Sequence, residues 1–168
     1  MGQSMQRAVR VAGCDLGKAA AKLVVLSVDG DRVRIEARHS APHDGRPAEA
    51  LAAWYREAGI ANCDALGATG LYADELRAPV VSGLPEDACL AAAIERLPEL
   101  RGPLNLVSVG ARGYSVLTRD RTGRVQAVGN DKCSSGTGET MVRIAGRFGL
   151  SVEEADALAR GASDTIPI

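Results

Sequence analysis

The first third of the chain alternates short apolar runs with polar turns, a pattern typical of consecutive β-strands. Residues 7–13 (RAVRVAG) and 22–28 (KLVVLSV) predict two strands joined as a hairpin. After the turn at residues 29–31, apolar Val33, Ile35 and Ala37 alternate with charged residues and predict a third strand. We therefore expect the fold to open with three antiparallel strands.

The remainder of the chain mixes helices with further strands. Pro47 suits the first turn of a helix over residues 47–58, whose core face would carry Leu51, Trp54 and Tyr55. Ser151 and Glu154 have the spacing of a capping box for the last helix. The other predicted helices cover residues 85–97, 137–149 and 152–160, and the other predicted strands cover 65–69, 104–109, 114–119 and 125–128. The order βββαβαβββαα predicts a mixed α+β fold, and residues 7–168 are expected to form a single lobe.

Composition narrows the classes of function. The 168 residues are 46% hydrophobic with a net charge of −1, so the chain is globular and has no basic field for nucleic acid. No apolar run approaches the ~20 residues that span a membrane. The N-terminal residues also lack the apolar stretch of a secretory signal, so we expect a cytoplasmic protein. The cysteines form no C-x-x-C pair, which argues against a zinc knuckle and a secreted disulfide framework; they are Cys14, Cys63, Cys89 and Cys133. We expect His39 and His43 to be solvated, and Cys14, Cys63 and Cys89 to fill buried apolar space.

A first glycine motif, GCDLGKAAAK at residues 13–22, falls between the first two strands. Glycine permits close backbone approach, so amides near Gly17 could face a phosphate. Asp15 could hold a cation, and Lys18 and Lys22 would add positive charge. The motif is not a P-loop, because G-x-x-x-x-G-K-[ST] is absent. An ordinary hairpin turn beside a carboxylate is the alternative interpretation.

A second glycine motif, NDKCSSGTG at residues 130–138, immediately precedes a predicted helix. The first amides of a helix are unpaired, so Gly136, Thr137 and Gly138 could bind an anion. Cys133 lies before that positive helix end, where a thiolate is favoured and amide donors could support an iron–sulfur cluster. Thr137 could instead be a simple N-cap, and Cys133 an inert buried thiol.

Together, residues 13–26, residues 130–141 and the A-T-G string at 68–70 resemble the BadF/BadG/BcrA/BcrD ATPase family. These proteins activate 2-hydroxyacyl-CoA dehydratases or serve as ATPase subunits of benzoyl-CoA reductase. The resemblance implies an actin/hexokinase-like lobe with a mixed five-stranded sheet of the ribonuclease-H type and flanking helices.

The resemblance also implies a site. ATP phosphates would contact the first loop, with Asp15 near Mg²⁺. Cys133 would be one ligand of a [4Fe-4S] cluster shared across a homodimer, and ATP hydrolysis would drive an electron into an acyl-CoA dehydratase or reductase partner.

Three departures from the family pattern shape the expected function. Lys18 stands where the family usually has a hydroxyl residue. Residues 108–113 (SVGARG) lack the acidic side chains of the family's second phosphate motif. The family pattern also continues beyond Ile168, into the second cluster cysteine and the adenosine-binding half. We therefore expect a truncated or degenerate activator that by itself binds ATP weakly or not at all. A non-hydrolysing binding or assembly subunit is the alternative. A sugar- or acetate-kinase-like phosphotransferase is a further one, but the catalytic carboxylate and two-domain pocket it needs are missing.

Overall fold

The computed structural model describes residues 7–77, 80–81, 83–111, 113–130 and 138–163. Within these ranges the helices and strands follow the predicted order, with one additional short strand. They are β1 (Val9–Leu16), β2 (Ala20–Asp29), β3 (Arg32–Pro42), α1 (Pro47–Glu57), β4 (Ala65–Thr69), β5 (Val80–Val81), α2 (Glu86–Arg96), β6 (Leu104–Val109), β7 (Tyr114–Arg119), β8 (Val125–Asn130), α3 (Gly138–Arg147) and α4 (Val152–Arg160).

The central feature is a mixed five-stranded sheet with strand order β3-β2-β1-β4-β5. β2 pairs antiparallel with both β1 and β3, whereas β4 pairs parallel with β1 and with β5. This confirms the predicted five-stranded mixed sheet. No sequence pattern indicated β5, because two residues are too few to establish an alternation.

One face of this sheet carries the main core. Alternate residues of β1 point inward and pair in register with inward residues of β2, for example Leu16 with Ala21 and Cys14 with Leu23. Leu51 and Trp54 of α1 belong to the same buried cluster. Burial of a large aliphatic side chain contributes about 1.5–3 kcal/mol, so this cluster is a main stabilising element of the fold. The prediction for Tyr55 is wrong: it is 47% exposed, since it lies one position round the helix from Trp54.

The apolar residues of β3 do not share one buried face: Ala37 packs against the core, whereas Val33 and Ile35 are exposed. Val33 is 39% exposed and Ile35 is 55% exposed. Ala37 pairs with Val25 but Ile35 pairs with the next residue, Leu26, so Glu36 is an extra residue in β3. A β-bulge of this kind reverses the side-chain alternation, and the sequence pattern did not reveal it.

The described residues group into two compact units. One contains those up to Leu106 together with Leu117–Ala127, and the other contains Val107–Val116 and those from Val128 onward. A three-stranded sheet has the order β6-β7-β8. The prediction of a single lobe over residues 7–168 stays a prediction. No helix among the described residues is long and apolar enough to cross a membrane.

The second unit contains the helix pair α3 and α4. Ser151 Oγ accepts a hydrogen bond from the Glu154 amide at 3.1 Å, and Glu154 Oε2 accepts one from the Ser151 amide at 2.7 Å, which confirms the predicted capping box. The apolar side chains of these helices line an open groove of about 290 Å³ rather than a closed core. Met141, Ile144 and Phe148 are 61%, 50% and 76% exposed.

Candidate functional site

The first glycine motif places a carboxylate and an ammonium group side by side. Asp15 of β1 pairs in register with Lys22 of β2, and Lys22 Nζ lies 2.9 Å from Asp15 Oδ2. Both side chains lie on the sheet face opposite the main core, because their neighbours Cys14 and Leu23 point inward. The Asp15 side chain is 29% exposed and the Lys22 side chain 61%. The resulting ion pair is therefore accessible to solvent.

The motif is more extended than the sequence suggested, because β1 continues through Leu16 and only residues 17–19 form the turn. The Gly17 amide donates to the Ala20 carbonyl at 3.1 Å and closes this turn. Lys18 is exposed at its tip. The structure thus brings Asp15, Gly17, Lys18 and Lys22 to one end of the β1–β2 hairpin.

β4 supplies two residues to the same end of the sheet. Parallel pairing sets Thr69 beside Asp15, and Gly70 follows with a φ of +96°. A Cβ atom on Gly70 would lie 2.6 Å from both Asp15 Oδ1 and the Leu16 carbonyl oxygen. Only glycine therefore allows this close approach. In the sequence, the A-T-G string indicated only the family resemblance and not this contact.

His43 is a site residue that no sequence pattern indicated. It is only 5% exposed, so the prediction of a solvated side chain is wrong. Its Nε2 atom lies 2.7 Å from the Gly17 carbonyl oxygen, and its Nδ1 accepts from the Gly45 amide at 3.1 Å. Tyr72 contacts the imidazole edge-on, with ring centroids 5.5 Å apart. His39 is half-buried rather than solvated, and its ring stacks on Trp54 with centroids 5.4 Å apart. No local sequence signal distinguished these histidines from surface ones.

The described cysteines differ in their surroundings. Cys14 is buried, as predicted, and burial together with the charge of Asp15 raises its pKa to about 11. Cys63 is half-buried beside the Arg10 guanidinium, and Cys89 is half-buried near Thr69. Burial raises the pKa of both thiols. All three therefore favour the neutral thiol over a reactive thiolate.

The second glycine motif lies mostly outside the described residues, which include neither Cys133 nor Gly136 and Thr137. Gly138 is the first residue of α3, and its amide donates to the Gly110 carbonyl at 2.8 Å. The Gly110 amide in turn donates to the Gly113 carbonyl at 2.8 Å. Within the second unit, the start of α3 therefore contacts Gly110. Among the described residues, no group of three or more His, Cys, Asp or Glu side chains could hold a metal ion.

The five-stranded sheet with order 3-2-1-4-5, its flanking helices and the glycine hairpin beside Asp15 define a lobe of the actin-like ATPase fold. Two solved structures share this fold. The activator of the 2-hydroxyisocaproyl-CoA dehydratase from Clostridium difficile, solved with bound ADPNP, is 22% identical with a TM-score of 0.73 and matches 95% of this chain and 60% of its own. Component A of the (R)-2-hydroxyglutaryl-CoA dehydratase from Acidaminococcus fermentans is 20% identical with a TM-score of 0.74 and matches 95% of this chain and 62% of its own.

A sequence comparison agrees with these structural similarities. The 2-hydroxyisocaproyl-CoA dehydratase activator of Clostridioides difficile is 26% identical over 170 residues, which cover 93% of this chain and 59% of that protein. No model of a known protein family matches the sequence. Over nearly its whole length, the chain is similar to this dehydratase activator, in agreement with the resemblance that its motifs indicated. It spans about three fifths of the length of the relatives that it matches.

Proposed function

We propose that this chain is the phosphate-binding lobe of an activator-type ATPase that acts, in the cytoplasm, with a 2-hydroxyacyl-CoA dehydratase or a benzoyl-CoA reductase type of partner. The kinship with dehydratase activators supports the partner class. The observation that carries the nucleotide role is the Asp15 carboxylate at the end of the glycine hairpin, with Gly70 closely packed behind it. One relative was solved with bound ADPNP, which also supports a nucleotide ligand for this lobe.

The residues at the hairpin fit a magnesium-bound phosphate group. Asp15 would hold the cation, and Lys18 and Lys22 would contribute positive charge beside the phosphates. The ion pair between Lys22 and Asp15 is solvent-exposed, and exposed pairs contribute little stability, so a divalent cation can displace the ammonium group. When bound, Mg²⁺ would neutralise phosphate charge and orient the nucleotide.

Hydrolysis of the nucleotide has less support than its binding. Phosphoryl transfer depends on groups that position the metal and the attacking water, and residues 108–113 carry no carboxylate for either role. The Gly138 amide already donates to Gly110 in this segment, so an anion at Gly138 would have to compete for that amide. This observation favours the second candidate function, a non-hydrolysing binding or assembly subunit of the same kind of system.

The electron-transfer role rests on the second motif. We propose that Cys133 is a ligand of a [4Fe-4S] cluster shared across a homodimer, with Gly136, Thr137 and Gly138 as the amide-rich segment beside it. The resemblance of residues 130–141 to the family motif supports this assignment. Anaerobic reconstitution of the purified chain tests it: a dimeric product with iron and sulfide should form, and Cys133→Ala should abolish it. Cys63→Ala is the matched control, and equal cluster content in both variants would exclude Cys133 as a ligand.

The nucleotide role is tested by titrating the ¹⁵N-labelled chain with Mg–ADPNP and following the amide signals of residues 13–22 by NMR, which detects weak binding. We expect saturable shifts at the hairpin. Asp15→Asn should weaken binding roughly tenfold, the effect of losing one charged contact. Asp31→Asn, which removes the same charge at the other end of β2, should leave it unchanged. No binding by the unaltered chain would refute the proposal, and equal affinity of the two variants would place the ligand elsewhere.

A further inference from the structure

His43 connects the loop after β3 to the glycine hairpin through both its side chain and its backbone. The His43 amide donates to the Ala19 carbonyl at 3.3 Å, and Nε2 is 2.7 Å from the Gly17 carbonyl oxygen. A carbonyl can only accept, so Nε2 must carry the proton. Nδ1 accepts from the Gly45 amide, so it carries none. The ring is thus held as the neutral Nε2–H tautomer with both nitrogens bonded.

The segment that presents this ring adopts an unusual backbone conformation. The Arg46 amide donates to the His43 carbonyl at 2.7 Å and closes a turn whose central residues, Asp44 and Gly45, have φ values of +46° and +81°. Asp44 is the only non-glycine residue with positive φ in the described part of the chain. Such a conformation persists when surrounding contacts require it, and here those contacts fix the imidazole against the hairpin.

The other side of the ring is fixed by the segment that follows β4. Tyr72 packs edge-on against His43, and the Tyr72 amide donates to the Leu16 carbonyl at 3.0 Å. This segment also contains Gly70, which packs against Asp15. The imidazole therefore lies between the hairpin and the segment that supports the candidate cation ligand, and its 5% exposure keeps water from competing for its hydrogen bonds.

The hydrogen bond from His43 to the Gly17 carbonyl affects which backbone group of the hairpin a phosphate would meet. A carbonyl oxygen that faced the phosphate would repel it, whereas an amide N–H would attract it. In a trans peptide the C=O of Gly17 and the N–H of Lys18 point in opposite directions. Because His43 holds the Gly17 carbonyl toward itself, the Lys18 amide is directed away from the imidazole. Rotation of this peptide would exchange the two groups.

We propose that His43 is a positioning residue for the candidate phosphate site: through the Gly17 carbonyl it fixes the peptide plane between Gly17 and Lys18, and so sets the polarity that the hairpin presents to a polyphosphate. This inference rests on the proposed nucleotide role of the hairpin. In this proposal His43 does not itself contact the ligand.

The experiment measures the affinity of the full chain for Mg–ADPNP and, separately, for Mg–tripolyphosphate by NMR titration. We compare the unaltered chain with His43→Leu, His43→Gln and His39→Leu. His39 is the matched control, because it is a half-buried histidine on β3 that stacks on Trp54. His43→Leu should weaken both ligands roughly fivefold to tenfold, the effect of one lost positioning hydrogen bond. His43→Gln retains a donor and should restore part of the affinity.

Two further readouts separate positioning from general stability. In the unaltered chain, the ¹⁵N shifts of His43 should show the Nε2–H tautomer, and His43→Leu should speed hydrogen exchange at the 17–20 turn more than His39→Leu does. A folded His43→Leu that binds as tightly as the unaltered chain would overturn this inference alone. So would an Nδ1–H tautomer. Absence of binding by the unaltered chain would overturn the proposed function and this inference with it.

Discussion

Gly70 offers a sharp test of how the end of the sheet is assembled. Alanine at this position has two costs: a backbone with φ of +96° that L-residues rarely adopt, and a Cβ atom 2.6 Å from Asp15 Oδ1 and the Leu16 carbonyl oxygen. The first costs about 1–2 kcal/mol. Relief of the second requires local displacement, typically about 1–3 kcal/mol. Gly70→Ala should therefore lower the free energy of unfolding by about 2–5 kcal/mol.

The matched control is Gly123→Ala. Gly123 has a φ of +84°, lies in the same compact unit and has open space where a Cβ would be placed. It should lose only the backbone contribution, about 1–2 kcal/mol. Urea unfolding can be followed through the fluorescence of Trp54, the chain's one tryptophan, which is buried in that unit. Equal destabilisation by the two substitutions would refute the close approach of Gly70 to Asp15.

Three further predictions concern the core, a thiol and a helix cap. Leu16 is only 1% exposed, so Leu16→Ala should lower the free energy of unfolding by about 2–5 kcal/mol in the same urea assay. A loss below ~1 kcal/mol would contradict the burial of Leu16. Because the pKa of Cys14 is raised from 9.0 to about 11, alkylation of this thiol in the folded protein should be slow at pH 8. The stability that the neutral Cys14 thiol contributes should be lost as the pH rises from 9 toward 11. Rapid labelling of Cys14 at pH 8, followed by mass spectrometry, would argue against its burial. Ser151→Ala should remove the capping box and cost α4 about 1 kcal/mol, seen as lower helicity by circular dichroism. The backbone bond from Ser151 lowers the pKa of Glu154, so the cap should weaken as acid protonates this carboxylate, and Glu154→Gln should abolish that pH dependence.

Features that depend on neighbours along the chain were predictable from the sequence. The bounds of β6, β7 and α4 matched the predicted ranges, as did the start of α1 at Pro47. The capping box of Ser151 and Glu154 formed as its spacing indicated. These features arise from residues a few positions apart, whose backbone geometry and hydrogen bonds are set locally. The two glycine motifs likewise indicated the resemblance to dehydratase activators, because each is a contiguous string of residues whose spacing can be read directly along the chain.

Features that depend on distant segments were not predictable in this way. The bulge at Glu36 reversed the faces of β3, and the two-residue β5 formed only because β4 offered a parallel partner. His43 had no local signal that separated it from a surface histidine, yet it is buried against Gly17, 26 residues earlier in the chain.

The candidate site combines features set by sequence neighbours with features set by distant segments. The composition of the first motif specified a carboxylate, a glycine turn and two lysines at one end of a hairpin, because a hairpin brings sequence neighbours together. Parallel pairing of β1 with β4 then placed Gly70 against Asp15, and the turn after β3 placed His43 against Gly17. Parallel strands and long-range burial join segments that are far apart in sequence, so only the tertiary structure could determine what surrounds the carboxylate and which way the turn's peptide groups point.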